Sequence, residues 1–265
     1  MKVKWLIEPE VFQKDEGPFI EALEVLNIEH AVCKFGTSYS QYIADFDKDA
    51  CIVFHGSMQF ARIIQAETRW KGLFHHLPKL ECVYYYPYFG QELLNSDCVM
   101  LPLGELHRRK DWLFTHVANG NSLFVRPSNG YKSFAGMVLT KESWEKELRL
   151  LSYKGLNTEL AVVAPTAIIT KEWRTIVVDN KVVAGCQYKQ EGKTVRIREV
   201  PDEVMTYAQK VAGKYRPEEA WTVDICETGN GDLKVLEVGS FSCCGFYVCD
   251  PVSIIQAINE LFKFK

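Results

Sequence analysis

The stretch Trp221–Tyr247, WTVDICETGNGDLKVLEVGSFSCCGFY, constrains this chain more than any other. Two apolar runs flank Asn230-Gly231, the dipeptide favoured by a two-residue type I′ turn because both central residues need φ > 0. That turn predicts two antiparallel strands, with Val223 across from Val238, Ile225 across from Leu236 and Glu227 across from Lys234. On the other face it sets Asp224 directly opposite Glu237. Cross-strand neighbours lie about 4.5–5.5 Å apart at Cβ, where like charges repel. Two carboxylates opposed in an otherwise apolar ladder point to a cation between them. Mg²⁺ suits the pair: a hard ion held by one or two carboxylates, with phosphates completing its shell. The alternative is a pair of solvated acids on an exposed sheet face.

The remaining chain has to build a core behind such a hairpin. Its 265 residues, 47% hydrophobic and 25% charged, suffice for one large or two modest domains of a soluble globular protein. A formal net charge of −3 gives no support to a general nucleic-acid-binding surface. No apolar run approaches the roughly 20 residues of a membrane helix, and the chain opens on a strand-like Val3–Ile7 rather than a signal peptide. Nine scattered cysteines without paired metal spacing suggest reduced thiols and a cytoplasmic setting. Cys243, Cys244 and Cys249 cluster, but match no common zinc pattern and read as small buried residues.

The first third alternates strands and helices. Strands are expected at Val3–Ile7, within Glu29–Phe35, at Ala50–Phe54 and at Glu81–Tyr86. Helices are expected at Pro18–Leu26 and from Met58 to about Ala66. This order implies a largely parallel sheet with ligands at the strand C-terminal ends. His55-Gly56-Ser57 joins a strand to a helix, so its backbone N–H groups could meet an anion or simply form a tight connection. The pattern weakens from Leu93 to Leu106, which marks a linker.

The middle carries Ser122–Leu139, two strands around a loop with Pro127, Ser128, Asn129, Gly130, Lys132 and Gly136. Gly and Asn let backbone N–H groups converge on an anion, and Arg126 and Lys132 add fixed positive charge suited to polyphosphate. The loop is neither a Walker A sequence nor a Rossmann fingerprint; an exposed hairpin loop is the alternative. A helix over Thr140–Tyr153 and a strand over Glu159–Ala164 follow. Lys171–Val178 and Lys181–Tyr188 then form an antiparallel pair around Asp179-Asn180. Period two puts Glu172 and Arg174 on one face and Trp173 on the other. Arg196 and Arg198 likewise share a strand face, able to grip phosphate or carboxylate or to stay solvated. Helices are expected from Pro201 to about Gly213 and from Pro251 to Phe262. His55, His75, His76, His107 and His116 are scattered, and no Ser/His/Asp set stands out.

Together these residues resemble the ATP-grasp superfamily, and within it the R2K clade. The clade's Arg-Pro followed by Lys, an aromatic and Gly is matched by Arg126, Pro127, Lys132, Phe134 and Gly136. Its Glu-Trp-Arg before an apolar hairpin is matched by Glu172, Trp173 and Arg174, and its closing pattern by Glu237, Gly245 and Tyr247. The resemblance implies an α/β N-terminal, pre-ATP-grasp module (1–104), then an α+β ATP-grasp fold with antiparallel sheets (105–265). The latter divides into a nucleotide-binding part (about 105–165) and a metal and catalytic part (about 166–265). ATP would lie between them. The backbone of Val162, Val163, Ala164 and Pro165 would read adenine and Glu172 the ribose. Arg126, Lys132, Arg174 and Arg196 would contact phosphates, and Asp224 and Glu237 would ligate Mg²⁺. Lys132, Arg174 and Arg198 are the catalytic candidates. His55, Gly56, Ser57, Ser240 and Ser242 are the candidates for substrate binding. One position departs from the family: Gly239 stands where Asn usually supplies a ligand oxygen. Ser240, Ser242 or a water would replace it, or the second metal site would be weakened.

The activity implied is an ATP- and Mg²⁺-dependent ligase that joins a carboxylate to an amine or other nucleophile through an acylphosphate. The partners expected are ATP and a small-molecule or peptide substrate, without a membrane, and with an oligomer possible. A phosphotransferase of the same fold and a nucleotide-binding module with little turnover are the other readings.

Overall fold

A computed structural model describes residues 3–12, 16–34, 46, 50–73 and 78–263. The expected strand end at Phe35, together with His75 and His76, lies outside them. The N-terminal strands β1 (Val3–Ile7), β2 (His30–Val32), β3 (Cys51–His55) and β4 (Lys71–Leu73) form a parallel sheet in the order β2-β1-β3-β4. Every residue of β3 is buried, as a central parallel strand with both faces covered should be. Helix α1 (Glu16–Val25) packs Phe19, Ala22 and Leu23 with Trp5, Ile7 and Val53; α2 (Met58–Glu67) packs Phe60, Ala61 and Ile64 with Leu6, Ile52 and Phe54.

Residues 81–86 correct the expected strand: Cys82–Phe89 is a helix, α3, with Pro87 inside it. Its buried residues Cys82, Tyr85, Tyr86 and Phe89 fall at helical spacing, and the run of aromatics masked that period. The stretch expected as a linker is also structured. Leu93 bridges Val235, and Val99–Pro102 is a strand, β5. It pairs with the edge of a second, antiparallel sheet ordered β5-β8-β6-β7, made with β6 (Ser122–Pro127), β7 (Met137–Thr140) and β8 (Leu160–Pro165). Helices α4 (Leu106–His116) and α5 (Trp144–Tyr153) cover one face, where Leu113, Phe114, Trp144 and Leu148 meet Leu123, Val125, Leu139 and Val163. The other face carries Arg126. Helix α5 starts later than expected because Thr140 and Ser143 form a reciprocal turn, each backbone N–H donating to the other's hydroxyl at 3.0 and 3.2 Å.

The third sheet is antiparallel, ordered β11-β10-β9-β12-β13: β9 (Ile169–Val178), β10 (Lys181–Gln190), β11 (Lys193–Ile197), β12 (Ala220–Thr228) and β13 (Leu233–Ser240). Asp179 and Asn180 have φ of 47° and 63°, the left-handed pair a type I′ turn requires. On one face Trp173, Val177, Trp221, Val223 and Ile225 pack on α3 and on α6 (Asp202–Ala212). On the opposite face Ile176, Val178, Ala184 and Cys186 join the core built on Trp5, Phe19 and Ile254, Ile255 and Ile258 of α7 (Pro251–Lys263). The last core therefore belongs to the N-terminal sheet and the large sheet at once.

The β12–β13 hairpin corrects the expected turn. Only Gly231 is left-handed (φ +85°), Gly231 N donates to Thr228 O and Thr228 N to Asp232 O, both at 2.9 Å. The loop is thus three residues, Gly229-Asn230-Gly231, rather than two. Near the turn the register slips by one: Ile225 faces Val235, Cys226 faces Lys234 and Glu227 faces Leu233. A bulge between Asp224 and Ile225 restores it, so Asp224 faces Glu237 and Val223 faces Val238 as expected.

No disulfide joins the cysteines among the described residues, and most of them are buried. No helix among the described residues is long and apolar enough to cross a membrane.

Because Ile255 is fully buried in the shared core, Ile255→Ala should lower stability by about 2–5 kcal/mol. Urea unfolding followed by far-UV circular dichroism and by tryptophan fluorescence should give one coincident transition. Two separated midpoints would mean that the N-terminal sheet and the large sheet do not share a core.

Candidate active site

The large sheet changes character along one face. On β9, Ile176 and Val178 are core, whereas Glu172 and Arg174 on the same face are buried polar residues. Opposite them on β12 stands Asp224, and across from that on β13 is Glu237. Asp224 is 2% exposed. A buried carboxylate and a half-buried one on the same rung require compensation, and each has it.

Arg174 grips Asp224 in a bidentate pair, Nε to Oδ1 at 2.9 Å and Nη2 to Oδ2 at 2.7 Å, the geometry that makes guanidinium–carboxylate contacts strong. Its Nη1 donates to the Gly245 carbonyl at 2.9 Å. The guanidinium also lies 5.7 Å from the ring centre of Tyr188 and 5.2 Å from that of Tyr247. The two tyrosine rings stack at 4.9 Å. Tyr188 reaches this place because β10 bulges there: Gln187 pairs with Trp173 and Lys189 with Glu172, leaving Tyr188 between them. Its hydroxyl donates to Glu172 Oε2 at 2.6 Å and approaches Asp224 Oδ2 at 3.3 Å. Burial, then the nearby Asp224 and Glu172, push the Tyr188 hydroxyl far above its ordinary pKa, so it stays a donor. Lys189 closes on Glu172 Oε1 at 3.0 Å.

Glu237 is held from the second sheet. Arg126, at the end of β6, donates to Oε2 at 3.0 Å, and Lys132, in the following loop, donates to Oε1 at 3.0 Å. Lys132 adopts a left-handed φ of 52°. Its side chain is 61% exposed, so its bond contributes roughly 0–1 kcal/mol, while Arg126, 13% exposed, carries more of the pairing. The loop is tied down on both sides. Ser128 exchanges backbone bonds with Leu160 and Cys82, Asn129 reaches Glu159 and Ser133, and Tyr131 lies under Arg62 of α2 at 3.7 Å. Burial pushes the Glu237 carboxyl up, but Arg126 and Lys132 outweigh it and hold it at about 2. For Asp224 the balance goes the other way: burial raises its carboxyl and Arg174 only partly pulls it back.

A cavity of about 230 Å³ opens on this face. Arg126, Lys132, Arg174, Thr222, Glu237 and Gly239 line it, together with Phe12 and Met58 of the N-terminal module. Ser240 also lines it, yet its hydroxyl is taken by Glu218 at 3.1 Å. Among the described residues no group of three or more His, Cys, Asp or Glu side chains could hold a metal. Asp224 and Glu237 are hard oxygen donors of the kind that Mg²⁺ takes beside phosphate oxygens; Glu237 lines the cavity, and Asp224 stands outside that lining in its pair with Arg174.

The other sequence candidates lie elsewhere. His55 is fully buried, stacked on Phe246 at 4.1 Å, and its Nε2 donates to the Cys244 carbonyl at 2.7 Å. Gly56 has no room for a Cβ, which would sit 2.6 Å from Glu8 Cβ, and its N–H donates to Ser242 O. Ser57 caps α2 through Phe60 N, and its own N–H donates to Glu8 Oε2 at 2.8 Å. The anion expected at this helix N-terminus is thus the protein's own Glu8. Ser242 is fully buried and outside the cavity lining. Val162, Val163 and Ala164 are fully buried in β8 and line neither this cavity nor a wider one of about 760 Å³ near Asp97, Thr166 and Lys234. Strand β11 ends at Ile197, so Arg198 lies just past the strand, near Asp250, and outside the cavity lining. Arg196 instead reaches the Tyr247 carbonyl at 3.4 Å. Sequence reasoning missed Thr222 and the Tyr188 hydroxyl; a bulge left the second illegible, but Thr222 stands at the same strand parity as Asp224.

A family model described as "ATP-grasp domain, R2K clade family 2" matches residues 107–257, more than half of the chain. No curated protein matches it in sequence. Solved structures similar in fold include the D-cycloserine synthetase DcsG, at TM-score 0.66 and 14% identity over 97% of this chain and 99% of that one. The D-alanine–D-alanine ligase of Bacillus anthracis follows at TM-score 0.62 and 15% identity, over 98% and 95%. The ATP-grasp ligase PsnB, complexed with a minimal precursor, gives TM-score 0.56 and 14% identity over 98% and 99%.

With its folded pKa near 2, below the ordinary 4.5, Glu237 contributes stability above pH 4.5 and loses it as pH falls toward 2. Thermal melts across that window should show the wild type losing more stability than Glu237→Gln. Parallel pH profiles would mean that Arg126 and Lys132 do not hold the carboxylate.

Proposed function

This chain belongs to the R2K clade of ATP-grasp domains, family 2, and from that premise we propose that it is an ATP- and Mg²⁺-dependent ligase joining a carboxylate to an amine. One observation carries the reading. Two opposed carboxylates are each held by cations that can transfer to a triphosphate, Glu237 by Arg126 and Lys132, Asp224 by Arg174. Phosphates entering the cavity take Arg126 and Lys132, which frees Glu237 for the metal. The cofactor and the polyphosphate each bring the charge that the other's protein partners give up. When bound, Mg²⁺ neutralises the triphosphate and polarises the transferring phosphoryl group.

In this reading Arg174, held against the stacked rings of Tyr188 and Tyr247, faces the γ-phosphoryl group or the acceptor carboxylate. Glu172, oriented by Tyr188 and Lys189, takes the ribose hydroxyls. A carboxylate oxygen of the acceptor attacks the γ-phosphorus and ADP leaves. The amine nitrogen then attacks the acyl carbon, inorganic phosphate leaves, and the amine proton passes to solvent. The protein's part is positioning and electrostatic stabilisation. The fold neighbours include a D-cycloserine synthetase and a D-alanine–D-alanine ligase, which supports ligation chemistry, and PsnB with its precursor, which keeps peptides among the candidate acceptors. The N-terminal module, residues 1–104, would read the acceptor through Phe12 and Met58.

A screen of amino acids and short peptides should find ADP release that requires both a carboxylate and an amine. Asp224→Asn should slow it on the order of 10²–10³-fold. ADP formed at full rate without an amine would favour a phosphotransferase and count against ligation.

A further inference from the structure

We infer that Thr222 supplies a third protein oxygen to the metal site, a role that rests on the magnesium-dependent reading above. Thr222 is 1% exposed and lies on β12 two residues before Asp224, hence on the same face of the sheet. Its register partner on β13 is Gly239, one rung beyond the Asp224–Glu237 pair. A Cβ built on Gly239 would lie only 2.7 Å from Thr222 Oγ1. The hydroxyl therefore leans across the ladder into the space that a side chain at 239 would fill. That space belongs to the cavity lined by Glu237, Arg126, Lys132 and Arg174.

The Thr222 hydroxyl makes no side-chain hydrogen bond among the described residues. Its oxygen is not among the fully enclosed polar atoms left without a partner, so it opens on the cavity rather than turning to a backbone carbonyl. Thr175, in the neighbouring strand, shows the usual solution: its hydroxyl donates to the Val223 carbonyl at 2.9 Å. A hydroxyl oxygen is a hard, neutral donor and adds to a two-carboxylate site without adding charge. Ser240, the last residue of β13, and Ser242 beyond it do not compete for this role. Ser240 is committed to Glu218, and Ser242 lies outside the cavity lining. Gly239 is thus the clearance that admits the Thr222 oxygen from the opposite strand.

The test uses Mn²⁺ as the probe, titrated by electron paramagnetic resonance into full-length protein saturated with a non-hydrolysable ATP analogue. Thr222→Val, which keeps the shape and removes the oxygen, should weaken Mn²⁺ binding roughly tenfold or more, the loss that removal of even an outer-shell partner brings. Thr222→Ser should bind as the wild type does. Gly239→Ala, which keeps Thr222 but presses a methyl against its hydroxyl, should weaken Mn²⁺ as Thr222→Val does, and stands in if that variant does not fold. Wild-type affinity in Thr222→Val or Gly239→Ala overturns the assignment alone, as does a loss in Thr222→Ser equal to that in Thr222→Val. Absence of Mn²⁺ binding by the wild type with the analogue present overturns the ligase reading and this inference together.

Discussion

Two negative charges face each other on one rung of a buried sheet, and most of the architecture around them answers that constraint. Neighbours on such a rung are about 4.5–5.5 Å apart at Cβ, and burial magnifies their repulsion. Water cannot relieve it where Asp224 is 2% exposed. The relief comes from three positions distant in sequence: Arg174 on β9, Arg126 on β6 and Lys132 in the loop after β6. Because Arg126 comes from the second sheet and Glu237 from the third, their ion pair also ties the two sheets together across the cavity.

The site keeps these charges in place by restricting what surrounds them. Arg174 lies against two stacked tyrosines and holds a carbonyl as well as a carboxylate. The segment after β13 that carries Gly245 and Tyr247 is fastened to the N-terminal module, through His55 to Cys244 and Gly56 to Ser242. The His55-Gly56-Ser57 turn is therefore structural support for the cleft, and Phe12 and Met58 are what that module presents to it. The cavity lining thus joins the charged Arg126, Lys132, Arg174 and Glu237 to the apolar side chains of Phe12 and Met58.

The most consequential pair, Asp224 opposite Glu237, was legible in the sequence through two displacements that cancel. The turn is one residue longer than Asn230-Gly231 alone would give, and the bulge after Asp224 removes the difference. Strand parity in β9 was legible too, since Glu172 and Arg174 do share the site face. The aromatic run at 82–89 misled because β propensity and a helical burial period coincide there, and packing on the large sheet decides between them. Tyr188 could not be placed because a bulge re-aims it. Thr222 was readable by parity, but only the close approach of Gly239 gives its hydroxyl a direction.

A crystal structure with Mg²⁺ and a non-hydrolysable ATP analogue tests the central claim most directly. The account predicts that Arg126 and Lys132 leave Glu237 for the phosphates while Glu237 and Asp224 turn to the metal. Nucleotide bound with the Arg126–Glu237 contact still at 3.0 Å, and no metal between the carboxylates, would contradict it.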